Sequence, residues 1–169
     1  MATITFITGG QRSGKSKYAQ HLAEKVYTNP VYLATARVWD DDFKKRIERH
    51  KSDRGDKWQT IEEPKAISKL HLEGRTVVLD CITLWLTNIF HDNGYNVDLS
   101  LKEAITEWDG FTSQNMLLMV VSNELGMGIH AESEISRKFS DLQGWMNQYI
   151  ASKADDVYLM ISGIPVKIK

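Results

Sequence analysis

The run Gly9-Gly10-Gln11-Arg12-Ser13-Gly14-Lys15-Ser16 follows an apolar stretch at residues 3–8 and opens a helix-forming stretch at 15–27. The pattern G-x-x-x-x-G-K-[ST], set between a strand and a helix, narrows the available folds more than any other feature of the chain. Glycines let the backbone curl until successive N–H groups face an anion, and the helix N-terminus adds a favourable dipole. Lys15 is then expected to reach the β/γ-phosphates of a nucleotide, and the Ser16 hydroxyl to ligate Mg²⁺. The pattern predicts binding of a nucleoside triphosphate or a phosphorylated relative.

Further short apolar runs at 31–34, 76–79, 116–121 and 157–161 read as strands, rich in Val, Ile and Leu and without clean alternation. Strands of that kind are buried on both faces of a mostly parallel sheet. Helical stretches are expected at 40–54, 65–72, 99–111 and 132–151, so strand and helix alternate along the chain. The fold class is α/β, a phosphate-loop NTPase with helices on both faces of the sheet. The tail, Ser162-Gly163-Ile164-Pro165, can turn back as a last edge strand.

The chain has 169 residues, 42% of them hydrophobic and 25% charged, which suits one domain spanning 1–169. Twenty-one Lys+Arg against 22 Asp+Glu give a formal charge of -1, which argues against a surface built to grip nucleic acid. The single cysteine, Cys81, excludes an internal disulfide framework and a Cys-rich zinc site. No apolar run approaches the roughly 20 residues needed to span a bilayer, and the N-terminal residues carry no basic leader. A cytoplasmic protein is expected.

Asp80 ends the apolar run 76–79 and is the expected partner of the phosphate loop. It would hold Mg²⁺, directly or through water, or contact the nucleotide itself; the spacing does not separate these roles. Ala34, Thr35 and Ala36 end the second strand in small residues that permit close approach by a ligand. Ser122-Asn123-Glu124 end another strand in polar groups at the same edge of the sheet, where ligands of open α/β folds bind. Trp58 to Pro64 reads as a short strand leading into a helix started by proline, with carboxylates such as Glu62 placed for ribose hydroxyls or a helix cap.

The stretch 40–54 reads DDDFKKRIERHKSDR. Phe43 and Ile47 form an i, i+4 apolar pair, and the same face continues into His50 and Arg54. Neighbouring cations favour a neutral, nucleophilic imidazole and would also attract phosphates. On spacing alone, a helix-end histidine on a solvated basic face is the simpler reading. His21 is expected on the first helix, His71 near a helix end, His91 in a loop, and His130 in a loop bordering the cleft. No G-x-S-x-G elbow is present for acyl-hydrolase chemistry.

These motifs, in their order, resemble the bifunctional adenosylcobinamide kinase / adenosylcobinamide-phosphate guanylyltransferase family of cobalamin biosynthesis. The likeness is carried by GGQRSGKS at 9–16, YLATA at 32–36, RIERHKSDR at 46–54, WQTIEEP at 58–64, LDCITLWLTN at 79–88, SNELGMGI at 122–129, RKFSDLQGWMNQ at 137–148 and SGIPVKIK at 162–169. The resemblance implies phosphorylation of the acceptor's aminopropanol hydroxyl with ATP or GTP. Transfer of GMP from GTP onto that phosphate then releases pyrophosphate and yields adenosylcobinamide-GDP. It further implies that His50 carries GMP covalently, and that Gly9, Gly10, Gln11, Arg12, Ser13, Gly14, Lys15 and Ser16 hold phosphates. Ala34, Thr35 and Ala36 would lie against the nucleotide. Lys51, Ser52, Asp53 and Arg54 would line the guanylyl site, with Glu62 and Asp80 on the guanine nucleotide or its Mg²⁺. A recombinase-like sheet and a homotrimer are also implied.

The chain departs from the family pattern at Asp42-Phe43 (usually Glu-Met), at His130-Ala131 (usually Val-Pro) and at Ser140 (commonly Arg). The rival from the residues themselves is a plain phosphate-loop small-molecule kinase, with Lys15, Ser16 and Asp80 at work and His50 structural. A nucleotide-dependent switch is disfavoured by the absence of the guanine-reading N-K-x-D motif.

Overall fold

A computed structural model describes residues 1–27, 29–37, 57–128 and 130–169. The strands are β1 (Thr3–Gly9), β2 (Val31–Ala34), β3 (Gln59–Glu62), β4 (Thr76–Asp80), β5 (Leu117–Val121), β6 (Asp156–Ile161) and β7 (Ile164–Lys167). The helices are α1 (Lys15–Val26), α2 (Ile82–Asp92), α3 (Val97–Thr112) and α4 (Glu134–Lys153). The seven strands form one sheet in the order β3-β2-β4-β5-β1-β6-β7, parallel except for the antiparallel β6–β7 pair. This is the expected α/β phosphate-loop architecture. A strand, β5, separates the loop-bearing β1 from β4.

The two faces of the sheet can be followed along each strand. Ile4, Phe6, Val31, Leu33, Val77, Leu79, Leu118 and Val120 join one buried cluster with α2, α3 and α4. Ile7, Tyr32, Val78, Met119 and Val121 point the other way, into a second cluster with α1. Successive side chains of a strand alternate between faces, so a run without polar interruption is what a doubly covered sheet requires. Helix α1 turns Ala19 and Ala23 to the strands, small residues that let it lie close. Helices α3 and α4 begin at Asn96 and Ser133, whose side chains accept from the N–H groups of Leu99 and Ser136.

Several expectations are corrected. The helix predicted at 65–72 is only a 3-10 turn, Ile67–Lys69. Side chains take the backbone groups a helix would have paired: Glu63 accepts from the N–H of Lys65 and Ala66, Glu107 from Ser68, and Gln114 from Leu72. Consequently Pro64 starts no helix. Conversely, residues 82–92 form α2, which the sequence reading left unassigned. Its Ile82, Trp85, Leu86, Ile89 and Phe90 are buried at helical spacing. His91 therefore sits in the last turn of α2, and His71 follows the 3-10 turn in extended chain. The tail turns back as expected, through Ser162 (φ 50°) and Gly163 (φ 87°). A two-residue connection with both φ positive is the turn that matches the twist of the flanking strands. The helix expected at 40–54 lies outside the described residues.

Candidate functional site

In the parallel part of the sheet, Ala34 is in register with Glu62 and Asp80, and Asp80 with Val121, while β5 pairs with β1 up to Ile7. One edge of the sheet thus gathers the ends of β2, β3, β4 and β5 beside the loop that leaves β1. The loop is shaped by close packing. Gly9 has φ 146°, and a Cβ there would stand 2.6 Å from the carbonyl oxygen of Met160 on β6. Only glycine fits that approach. The N–H of Gly163 donates to the carbonyl of Ser13 at 2.9 Å, so the β6–β7 turn supports the loop from below.

Gly14, in the left-handed region, precedes α1, and no side chain caps the helix. Its first N–H groups are therefore left to water or to an anion. Lys15 is buried, and its ammonium donates to the carbonyl of Gly10 within the loop and, at 3.4 Å, to Ser13 Oγ. Burial lowers its pKa, and the Asp80 carboxylate opposes that effect. Gly10, Gln11 and Arg12 are exposed at the loop tip, and Ser16 is half-buried on the first turn of α1.

Asp80 is half-buried, and its Oδ2 accepts from the Tyr32 hydroxyl at 2.7 Å. The next residue, Cys81, joined to Asp80 by a cis peptide bond, is buried, and burial with the neighbouring carboxylate pushes its thiol up to about 12. It is a neutral thiol at physiological pH and no nucleophile. Thr35 is wholly buried. Its hydroxyl donates to the carbonyl of Cys81 at 2.8 Å and accepts from the N–H of Cys81 at 2.9 Å. Buried Asn88 of α2 donates to the carbonyls of Thr35 and Pro64, both at 2.8 Å. Thr35 thus fastens the end of β2 to the start of α2, while Ala34 and Ala36 flank it with partial exposure.

Mg²⁺ binds through hard oxygen ligands, keeps several waters, and needs only one or two protein groups beside substrate phosphates. The Ser16 hydroxyl and the Asp80 carboxylate suit that chemistry. Among the described residues no group of three His, Cys, Asp or Glu side chains forms a metal cage. Glu62 is exposed at the end of β3. His50, Lys51, Ser52, Asp53 and Arg54 lie outside the described residues, as does Ile129.

The sequence reading placed Ser122, Asn123 and Glu124 at this edge but gave no role to Tyr32, Arg37, Gln143 or Asn147, which also shape it. Tyr32 holds Asp80. Beyond β5, the N–H of Ser122 donates to Ile7 and that of Glu124 to Gly9, each at 3.0 Å, and that of Asn123 to Thr83 Oγ1. The next loop therefore crosses the base of the phosphate loop. A buried cluster locks it to α4: Ser122 Oγ donates to Asn147 Oδ1 at 2.7 Å, and Gln143 Nε2 to Ser122 Oγ at 2.9 Å. Polar residues at the end of an apolar strand were the available signal. Arg37, two residues past Thr35, donates both guanidinium nitrogens to Asp92, at 2.7 and 2.8 Å. No helix among the described residues is long and apolar enough to cross a membrane.

Residues 5–168 match the family model described as cobinamide kinase / cobinamide phosphate guanyltransferase. The bifunctional adenosylcobalamin biosynthesis protein CobP of Pseudomonas aeruginosa is 38% identical over 168 residues, covering 96% of this chain and 95% of that protein. The bifunctional adenosylcobalamin biosynthesis proteins CobU of Escherichia coli and of Salmonella typhimurium are 34% and 33% identical, each covering 98% of this chain and 99% of its own length. With the match running through the phosphate loop, the Asp80 strand and the C-terminal hairpin, the chain belongs to the cobinamide kinase / cobinamide phosphate guanyltransferase family.

Proposed function

We propose that residues 1–169 act as one catalytic domain that performs both reactions of its family on adenosylcobinamide. The observation that carries this reading is the buried Lys15 beneath a glycine-shaped loop at an uncapped helix start, within a family match over residues 5–168. In the kinase step, the oxygen of the aminopropanol hydroxyl attacks the γ-phosphorus of ATP or GTP. The bond to the β,γ-bridging oxygen breaks, the nucleoside diphosphate leaves, and the hydroxyl proton passes to water.

Gly9, Gly10, Gln11, Arg12, Ser13 and Gly14 are read as the cradle for the phosphates, with Lys15 exchanging its bond to Gly10 for phosphate oxygens. Ser16 and Asp80 are read as the groups that hold Mg²⁺, which when bound neutralises charge on those oxygens. Tyr32 orients the Asp80 carboxylate. Ala34, Thr35 and Ala36 border the nucleotide through backbone and small side chains.

In the guanylyl step, the imidazole nitrogen of His50 attacks the α-phosphorus of GTP. A N–P bond forms, the bond to the α,β-bridging oxygen breaks, and pyrophosphate leaves with the electron pair. An oxygen of adenosylcobinamide phosphate then attacks the same phosphorus, the N–P bond breaks, and free imidazole returns. Lys51, Ser52, Asp53, Arg54 and Glu62 are read as lining this site. On this reading the enzyme works in the cytoplasm as a homotrimer.

Incubation with Mg²⁺ and GTP labelled at the α-phosphate tests the reading. Acid-labile, alkali-stable label on the denatured protein, lost in His50→Ala, is the expected result. A folded, GTP-binding protein that takes no label would replace the guanylyl route with a plain kinase.

A further inference from the structure

Beside the helices that cover the face of the sheet opposite α1, a cavity of about 580 Å³ opens between α2, α4 and the loop after β5. Its floor holds Phe90 and Phe139, with ring centroids 5.7 Å apart. Leu125, Ile135 and Tyr95 stand around it, 37%, 49% and 41% exposed. Large apolar side chains left in water around one concavity mark a binding site, and the volume falls in the range of roughly 300–1,000 Å³ usual for small-molecule sites.

The polar part of the lining is the imidazole of His91 and the hydroxyls of Thr87, Tyr95, Ser136 and Ser140. The Thr87 hydroxyl donates to the carbonyl of Thr83 at 2.8 Å, and that of Ser140 to the carbonyl of Ser136 at 3.0 Å. With their protons committed, both oxygens keep lone pairs for an incoming N–H donor. Among the described residues, no carboxylate, lysine or arginine lines the cavity. The complementary ligand is mainly apolar, with N–H donors on its rim. Two departures from the family pattern fall here: Ala131 and Ser140 line the cavity where proline and arginine are usual, leaving it open and uncharged.

Two chain segments lead from the cavity to the phosphate site. Leu125 follows Glu124, whose N–H is bonded to Gly9 at the base of the phosphate loop. Along α2, Thr87 lies roughly 9 Å from Cys81 at about 1.5 Å of rise per residue, and Cys81 adjoins Asp80. A ligand seated here reaches the phosphates only through a flexible arm.

We propose that this cavity seats one edge of the corrin macrocycle of the acceptor, its carboxamides donating to Thr87 and Ser140 and its hydroxyl-bearing arm running past Asn123 and Glu124 to the phosphate loop. The assignment rests on the corrinoid being the acceptor, as proposed above. Ser140→Trp fills the cavity from a half-buried helix position, and Ser140→Ala removes one acceptor. Titration with adenosylcobinamide in the absence of nucleotide, KM for the same compound in the kinase step, GTP affinity and sedimentation are compared with the wild type.

The expected result is a rise of about tenfold or more in Kd and KM for adenosylcobinamide in Ser140→Trp, and a smaller rise in Ser140→Ala, with GTP affinity and GTP-derived label unchanged. Equal binding of adenosylcobinamide by wild type and Ser140→Trp overturns the cavity assignment and leaves the family reaction standing. Loss of GTP affinity alongside overturns it in favour of a general effect on the fold. A changed oligomeric state with unchanged KM overturns it in favour of a contact between copies of this chain. A wild type that takes GTP label but does not bind adenosylcobinamide overturns both the assignment and the acceptor on which it rests.

Discussion

The backbone N–H of Gly163 donates to the carbonyl oxygen of Ser13 at 2.9 Å, which ties the C-terminal hairpin to the phosphate loop. Gly163 has φ 87°, and space is open where a Cβ would stand, so the backbone conformation alone restricts this position. Asparagine tolerates the left-handed region, whereas a β-branched residue does not. Gly163→Val is expected to lose stability by about 1–2 kcal/mol and to weaken nucleotide binding measurably. Gly163→Asn should bind nearly as the wild type does. Calorimetric titration with GTP separates the two.

Lys15 links function and stability in opposite directions. Its pKa is lowered by burial, so the charged form is less comfortable in the folded protein than in water. Between the folded and unfolded pKa values the unfolded chain binds more protons, and stability rises with pH there. Below both values the ammonium is charged in both states, and its burial is a cost that Asp80 and the bonds to Gly10 and Ser13 offset only in part. Lys15→Met should lower turnover by roughly 100-fold or more while raising the thermal midpoint of the nucleotide-free protein. A lowered midpoint would show that the bonds to Gly10 and Ser13 outweigh desolvation.

Thr35 satisfies both the N–H and the C=O of Cys81 with one hydroxyl in a wholly buried position. Thr35→Val keeps the shape and removes the hydroxyl, leaving two buried backbone groups without that partner. A loss of about 2–4 kcal/mol in urea denaturation is expected, and Thr35→Ser should recover most of it.

The Arg37 guanidinium holds the Asp92 carboxyl well below the usual carboxylate range, against a burial effect that raises it; His91 and Lys65 assist. A depressed folded pKa contributes stability that is present above the unfolded value of 3.8 and is lost as pH falls through the folded one. Asp92→Asn should therefore flatten the acid side of the stability curve below about pH 4, with a neutral-pH loss below about 1 kcal/mol because the pair is partly exposed. An unchanged acid limb would assign the loss to other carboxylates.

Much of the framework could be read from residue order because its causes are local. Val77, Val78 and Leu79 are apolar without a break, and both of their neighbouring faces are covered. Gly9 to Ser16 announce a loop because glycine and lysine are needed there by geometry and charge. What escaped the sequence reading is tertiary. The stretch 65–72 has helical composition, yet Glu63, Glu107 and Gln114 claim its backbone. Helix α2 opens at Cys81 without a side-chain cap, directly after a strand of similar composition, so nothing marked its start. The grip of Tyr32 on Asp80 joins residues far apart in the chain. His50 was singled out by its cationic neighbours and by the resemblance; its position lies outside the described residues.

The order of strands has a consequence for biosynthesis. β1 leaves the ribosome first, yet its two neighbours in the sheet are β5 and β6, from the last third of the chain. Until Leu117–Val121 emerges, the apolar β1 has no partner on either edge, and the phosphate motif lacks the Met160 and Gly163 contacts that shape it. A nascent chain halted before residue 117 thus carries the whole nucleotide signature as an exposed, aggregation-prone strand. Its dependence on chaperones should end when β5 and β6 have been translated.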